Sequence, residues 1–125
     1  MSKIRKLQKR KSNPNLVRLI DELLSEAAKN DAPVWKDIAE RLAKPKRFYA
    51  EINISKIERY AREGEYVVVP GKVLGSGRLS KPVRVAALSF SETARRKIIE
   101  AGGECMSLSE LIKANPSGSN IKVMV

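Results

Sequence analysis

From residue 51 onward the chain keeps returning to one pattern: a short apolar run, a serine, then a stretch with helical spacing. Ser55, Ser91 and Ser107 hold the middle place. A serine hydroxyl accepts from an orphan N–H of a first helical turn, so each marks a helix start. Glu58 and Glu110 stand three residues after the first and last of them, the pattern of two capping boxes. The expected helices run from Ser55 to about Arg62, from Ser91 through Ala94, Ile98 and Ala101 to the terminating Gly102 and Gly103, and from Ser107 to a stop at Asn115 and Pro116. Between them, residues 51–54, 66–69, 83–88 and 121–125 read as strands, the middle two β-branched, largely apolar and interior. Strand and helix in alternation make an α/β fold over residues 50–125. The spacing of the three units is too irregular for a solenoid.

The first part of the chain is built otherwise. Asn13 followed by Pro14 is a cap and a first-turn proline, and Leu16, Ile20, Leu23, Leu24 and Ala27 recur at helical spacing up to Asn30. A second start at residues 31–33 leads into Val34, Ile38, Ala39 and Leu42 before Pro45 ends the run. Residues 14–44 therefore form an expected helical hairpin, with Trp35, the only tryptophan, as a packing residue rather than a stacking platform. At 125 residues the chain has room for one ordinary domain, taken as 14–125, preceded by a basic arm over 1–13. That arm holds Lys3, Arg5, Lys6, Lys9, Arg10 and Lys11 with no acid, and too few apolar residues to bury a face.

Lys and Arg number 25 against 14 Asp and Glu, a formal charge of +11. Such an excess asks for a polyanionic partner. Residues 66–91 contain no acid at all, and within them 72–82, K-V-L-G-S-G-R-L-S-K-P, sets Lys72, Arg78 and Lys81 around Gly75 and Gly77. Alone, a G-x-G reads as a hairpin turn on a basic edge. Beside the acid-free window, the arm and the helix start at Ser91, the stretch reads as a phosphate-gripping loop whose glycines let backbone N–H groups approach an anion. Lys44, Lys46 and Arg47 next to Phe48 and Tyr49 form a second basic cluster. Cations interleaved with rings suit looped or single-stranded RNA; equally, Phe48 and Tyr49 can seal one end of the core. Arg95, Arg96 and Lys97 splay around their helix and read mostly as a solvated face.

Histidine is absent, and with it the commonest general base and zinc ligand. No D-x-D pair suggests a divalent-cation site. Glu63 and Glu65, flanking Gly64, read as a turn exit. Neither G-x-x-x-x-G-K-[ST] nor G-x-G-x-x-G is met, because Ser80 stands where the third glycine would be. Catalysis, cofactor, metal and small-molecule substrate are all unexpected. Cys105, the single cysteine, allows no internal disulfide and reads as a small buried hydrophobe. No apolar run reaches membrane-spanning length and the basic start lacks a following apolar segment, so the expectation is a cytoplasmic protein without membrane contact.

Two groups of motifs give the chain a resemblance to a known family. One is Lys72-Val73-Leu74-Gly75-x-Gly77-x-Leu79, then Val83-x-Val85, then Phe90-Ser91-x-x-Ala94, closed by Ile98 and Gly102-Gly103. The other is Arg41-Leu42-Ala43-Lys44-Pro45-Lys46-Arg47 with Ile52-Asn53-Ile54-x-Lys56-Ile57. Together they resemble the archaeal and eukaryotic large-subunit ribosomal proteins numbered eighteen-e, whose C-terminal domain is similar to that of the bacterial large-subunit protein numbered fifteen. The resemblance covers almost the whole chain, whose short length is similar to archaeal members. It implies a compact domain of irregular β-β-α turns after the helices, a structural role on large-subunit rRNA, neighbouring ribosomal proteins as partners, and no catalysis. By motif, Lys72 and Arg78 carry over as RNA contacts, and more loosely Lys44, Lys46 and Arg47; the arm rests on charge alone. Gly75, Gly77, Lys81 and, just past the loop, Arg84 complete the expected rRNA-binding set. The rival reading is a helix-turn-helix DNA-binding regulator on residues 15–29 and 34–43, in which Asp37 and Glu40 would face phosphates unfavourably.

Overall fold

In the computed structural model, which describes residues 13–125, α1 spans Pro14–Asn30 and begins as its cap chemistry requires: the Asn13 side chain accepts from the Asn15 N–H at 2.9 Å. The arm residues Lys3, Arg5, Lys6, Lys9, Arg10 and Lys11 lie outside the described residues. Asp31 takes a left-handed conformation at φ 48° and ends the helix, so that α2 (Pro33–Ala43) starts almost at once. Ile20 and Leu23 of α1 share one apolar cluster with Trp35, Ile38 and Leu42 of α2. Trp35 is fully buried and satisfies its indole N–H by donating to the Pro116 carbonyl at 2.9 Å.

A single 3-10 turn, Lys46–Phe48, leads into alternating elements: β1 (Ala50–Asn53), α3 (Ile54–Tyr60), β2 (Tyr66–Leu74), β3 (Arg84–Phe90), α4 (Glu92–Glu100), β4 (Glu104–Met106), α5 (Leu108–Ala114) and β5 (Ile121–Val123). All the strand pairings are parallel. β2 is central, with β3 and then β4 on one flank; on the other, β5 pairs with Tyr66–Val68 and β1 with Gly71–Leu74. A parallel sheet needs both faces covered. Val68 and Ala86 face α1, α2 and α5, while Val67, Val69, Val73, Val85 and Ala87 face α3 and α4. Each fully buried aliphatic side chain contributes about 1.5–3 kcal/mol, so this two-sided cover is where the stability of the fold lies.

The strand expected over 66–69 continues to Leu74: Pro70 offers no N–H, the register against β3 slips between Val69 and Lys72, and the ladder then resumes. Lys72 is therefore a strand residue rather than part of the loop. The strand expected at 83–88 is Arg84–Phe90, and β4 is an additional short strand that its three residues were too few to announce. The stretch from 75 to 83 is not a hairpin turn, because β2 and β3 run parallel, with Tyr66 opposite Arg84. Returning from Leu74 to the level of Tyr66 covers about 26 Å at strand rise, and the ten steps to Arg84 reach about 35 Å at full extension. The connection has to cross the sheet nearly extended.

The serine caps divide two to one. Ser91 accepts from the Ala94 N–H at 3.1 Å, and Ser107 with Glu110 forms a complete capping box. Ser55 does not cap: α3 starts at Ile54, which places Ser55 inside the first turn. Its N–H donates instead to the Ser76 carbonyl at 3.3 Å, and Glu58 turns away to Ser80. The crossing segment thus takes over the role of the cap.

Candidate nucleic-acid interface

The exposed cations fall on opposite faces of the sheet, Lys46, Arg47 and Lys72 on one and Arg78 on the other. One group surrounds the start of α1, where a shallow groove is bounded by the cap residue Asn13, by Leu16 and Leu19 of α1, by Lys46 and Arg47, and by Glu51, Gly71, Lys72 and Leu88 of the sheet. The first turn of α1 carries no acid, so the positive end of its dipole adds to the three cations. Lys46 and Arg47 are held there by the 3-10 turn, in which the Phe48 N–H donates to the Pro45 carbonyl at 2.9 Å and the Tyr49 N–H to the Lys46 carbonyl at 3.0 Å. The Tyr49 hydroxyl donates to the Leu42 carbonyl at 2.5 Å, and burial pushes its pKa up, which keeps it a donor. Lys72 arrives from the far side, 25 residues on from Arg47 in sequence, on the part of β2 beyond the bulge. Glu51, its register partner on β1, is the acidic residue among those lining the groove.

Phe48 and Tyr49 part company. Tyr49 packs against the first apolar cluster, whereas Phe48 is 62% exposed with the Arg47 guanidinium 4.9 Å from its ring centroid. Lys44 is exposed just before the turn.

The second face carries the glycine segment, clamped between α3 and α4. Gly75 abuts Thr93, and Gly77, at φ +105°, lies against Ser55; a Cβ on Gly77 would come within 2.4 Å of the Ser55 Cβ. Lys97 of α4 donates to both the Gly75 and Gly77 carbonyls at 2.8 Å. Ser76 gives its N–H to Asn53, and Ser80 gives its N–H and hydroxyl to the Glu58 carboxylate at 2.7 and 2.5 Å. The Lys81 ammonium donates to the Ala61 carbonyl at the end of α3. Of the cations expected to meet an anion, Lys81 is thus engaged in holding the crossing segment to α3, and the Gly75 and Gly77 carbonyls are held by Lys97. Arg78 remains as the exposed cation at its middle. Arg84 is also engaged within the chain: its guanidinium lies 4.0 Å from the Tyr66 ring centroid and donates to the Tyr66 hydroxyl and the Gly64 carbonyl.

Sequence reasoning gave Glu58 to a capping box with Ser55 and Lys97 mostly to a solvated face, whereas these two side chains fasten the segment. Lys97 shares a helix face with Thr93 and Ala94 by i, i+3 and i, i+4 spacing, but that face becomes significant only once Gly75 is known to sit on Thr93. The Ser80 hydroxyl and N–H, with smaller pulls from Lys81 and Arg78, hold the Glu58 carboxyl below the usual carboxylate range. A depressed folded pKa means that the latch is present above the unfolded value and is lost as pH falls through the folded one. The Ser80 amide resonance is therefore expected to titrate with a midpoint below that of a free glutamate, and to lose this titration in Glu58→Ala; a Ser80 amide indifferent to acid would show that the latch is absent.

Among the described residues, no group of three or more Cys, Asp or Glu side chains is placed to hold a metal ion, and no helix is long and apolar enough to cross a membrane. Cys105 is half-buried, and burial pushes its thiol pKa up, away from reactivity.

Comparison with known proteins supplies context for this geometry. A family model described as ribosomal protein 60S L18 and 50S L18e matches residues 2–125. Large ribosomal subunit protein eL18 of Archaeoglobus fulgidus is 71% identical over 116 residues, covering 93% of this chain and 99% of the relative. The proteins of the same name from Methanoregula boonei and Methanococcus maripaludis are each 52% identical, over 91% and 90% of this chain and 94% of their own length.

Proposed function

Because the chain belongs to the family of ribosomal proteins 60S L18 and 50S L18e, we propose that it binds large-subunit rRNA chiefly at the α1 groove, by neutralising phosphates with Lys46, Arg47 and Lys72. The family is one of structural ribosomal proteins, not enzymes, and its place is the large ribosomal subunit in the cytoplasm. The observation that carries the finer reading is the convergence of cations far apart in sequence around a helix start that has no acid in its first turn. Phosphate contacts of this kind fix position without reading sequence. Residues 14–125 act as the RNA-binding body. Lys3, Arg5, Lys6, Lys9, Arg10 and Lys11 add charge from the chain entering at Asn13, one of the residues that bound the groove. Arg78 and Lys44 are subsidiary contacts, and neighbouring ribosomal proteins take up other faces.

The helix-turn-helix reading is not favoured. The second helix buries Trp35, Ile38, Ala39, Leu42 and Ala43 in the core, and Asp37 pairs with Arg41 at 3.3 Å on its outer side. If arm and body together engage about 8 phosphates, log affinity for protein-free large-subunit rRNA falls against log salt with a slope of roughly −6. A nitrocellulose or gel-shift titration across 0.05–0.5 M salt, about the range over which such contacts dissociate, measures it. A slope near zero would sink the phosphate reading.

A further inference from the structure

We propose that Phe48 is a stacking platform for an unpaired base of the RNA, with the Arg47 guanidinium as its companion plane. The inference rests on the RNA-binding reading above and extends it from phosphates to a base. Phe48 is the most exposed large hydrophobic side chain among the described residues, at 62%. Looseness does not put it there. Its own N–H is bonded to the Pro45 carbonyl, the following N–H to the Lys46 carbonyl, and Tyr49 is anchored to both the core and the Leu42 carbonyl. The turn is thus pinned on both sides of an outward ring that has only two side-chain torsions to order on binding. Arg47 sits 4.9 Å from the ring centroid, within the distance at which a cation is held by an aromatic face.

The surroundings select the class of partner. Lys46 and Arg47 precede the ring, and the first acid after it in sequence is Glu51. An apolar protein pocket closing over Phe48 would have to desolvate those cations along with it, which is costly without countercharges. An unpaired nucleotide brings a flat apolar face and a phosphate together, and so satisfies ring and cations at once. Lys46 and Arg47 line the α1 groove, so a strand gripped there by its phosphates passes within reach of the ring.

The test titrates the full chain and its Phe48→Ala, Phe48→Tyr and Phe48→Trp variants with protein-free large-subunit rRNA of Archaeoglobus fulgidus over a range of salt. Phe48→Ala is expected to lose roughly 5- to 100-fold in affinity at every salt concentration, the range for losing one stacked base, with the salt slope unchanged. Phe48→Tyr and Phe48→Trp keep the affinity, and the exposed indole of the Phe48→Trp variant is quenched by the RNA while that of buried Trp35 is not. Wild-type affinity in Phe48→Ala overturns the proposal. So does an emission of the Phe48→Trp variant that responds only to subunit particles still carrying their proteins, which would assign the ring to a protein neighbour. Failure of the parent chain to bind the RNA at all overturns the phosphate reading and this inference with it.

Discussion

Changing Lys46, Arg47 and Lys72 together to alanine is expected to weaken binding to large-subunit rRNA by roughly 100-fold at 0.1 M salt, and to flatten the salt slope by about 2. The magnitude follows from counterion release: each phosphate contact adds about 0.7 to the slope for irregular RNA, so three contacts account for about two decades between 0.1 and 1 M. Reversal to glutamate should exceed this, because it sets repulsion where attraction was. All three side chains are exposed, so the folded domain should be unchanged by circular dichroism. The same treatment of Lys81 and Arg84 tests something else. Lys81 holds the end of α3, and Arg84 holds Tyr66 and Gly64, so their loss should appear first as lowered stability and only secondarily in binding. If the Lys46, Arg47 and Lys72 variant binds as tightly as the parent, the α1 groove is not the main contact.

The second large effect concerns Gly71, to which sequence reading assigned no role. A Cβ there would lie 1.9 Å from the Ala50 carbonyl oxygen and 2.8 Å from the Ala50 carbonyl carbon, both backbone atoms of β1. Ala50 and Gly71 are register partners, so neither can retreat without opening the β1–β2 ladder. Gly71→Ala is therefore expected to destabilise the protein by about 3 kcal/mol or more, at the upper end of overpacking costs because no flexible side chain can yield. Chemical denaturation reads this as a lower midpoint. A midpoint equal to that of the parent would mean that β1 does not run beside β2 in this register. Since Lys72 is the next residue, a displaced β1 would also disturb the groove, so Gly71→Ala should bind RNA less well even under conditions where it remains folded.

Local chemistry was enough for much of the fold. Asn13, Ser91 and Ser107 cap where their side chains predict, Gly102 ends α4 at a positive φ, and the apolar spacing in 14–44 marks both N-terminal helices to within a residue or two. Where the same logic failed, at Ser55, a more distant partner competed: Ser76 and Ser80 reach α3 from the crossing segment and take the places that a local capping box would have filled. Pro70, just past the strand expected over 66–69, works in the opposite sense. It ends a strand by local rules, but a bulge on a central strand absorbs it.

The basic character of the chain, its lack of histidine and its α/β alternation are all written in residue types and short spacings, because formal charge and turn preference belong to a residue and its near neighbours. Which cations stand together is a different kind of fact. Lys72 and Arg78 are six residues apart in sequence, yet the bulge and the parallel return of the chain direct one to the α1 groove and the other to the face of α3 and α4. Lys72 and Arg47, far apart along the chain, line one groove because β1 and β2 pair in parallel beside the start of α1. Strand pairing and helix packing join residues through space, and the hydrophobic burial that drives them is non-directional. It records its choice of partners in contacts between distant segments, and no local pattern carries that choice.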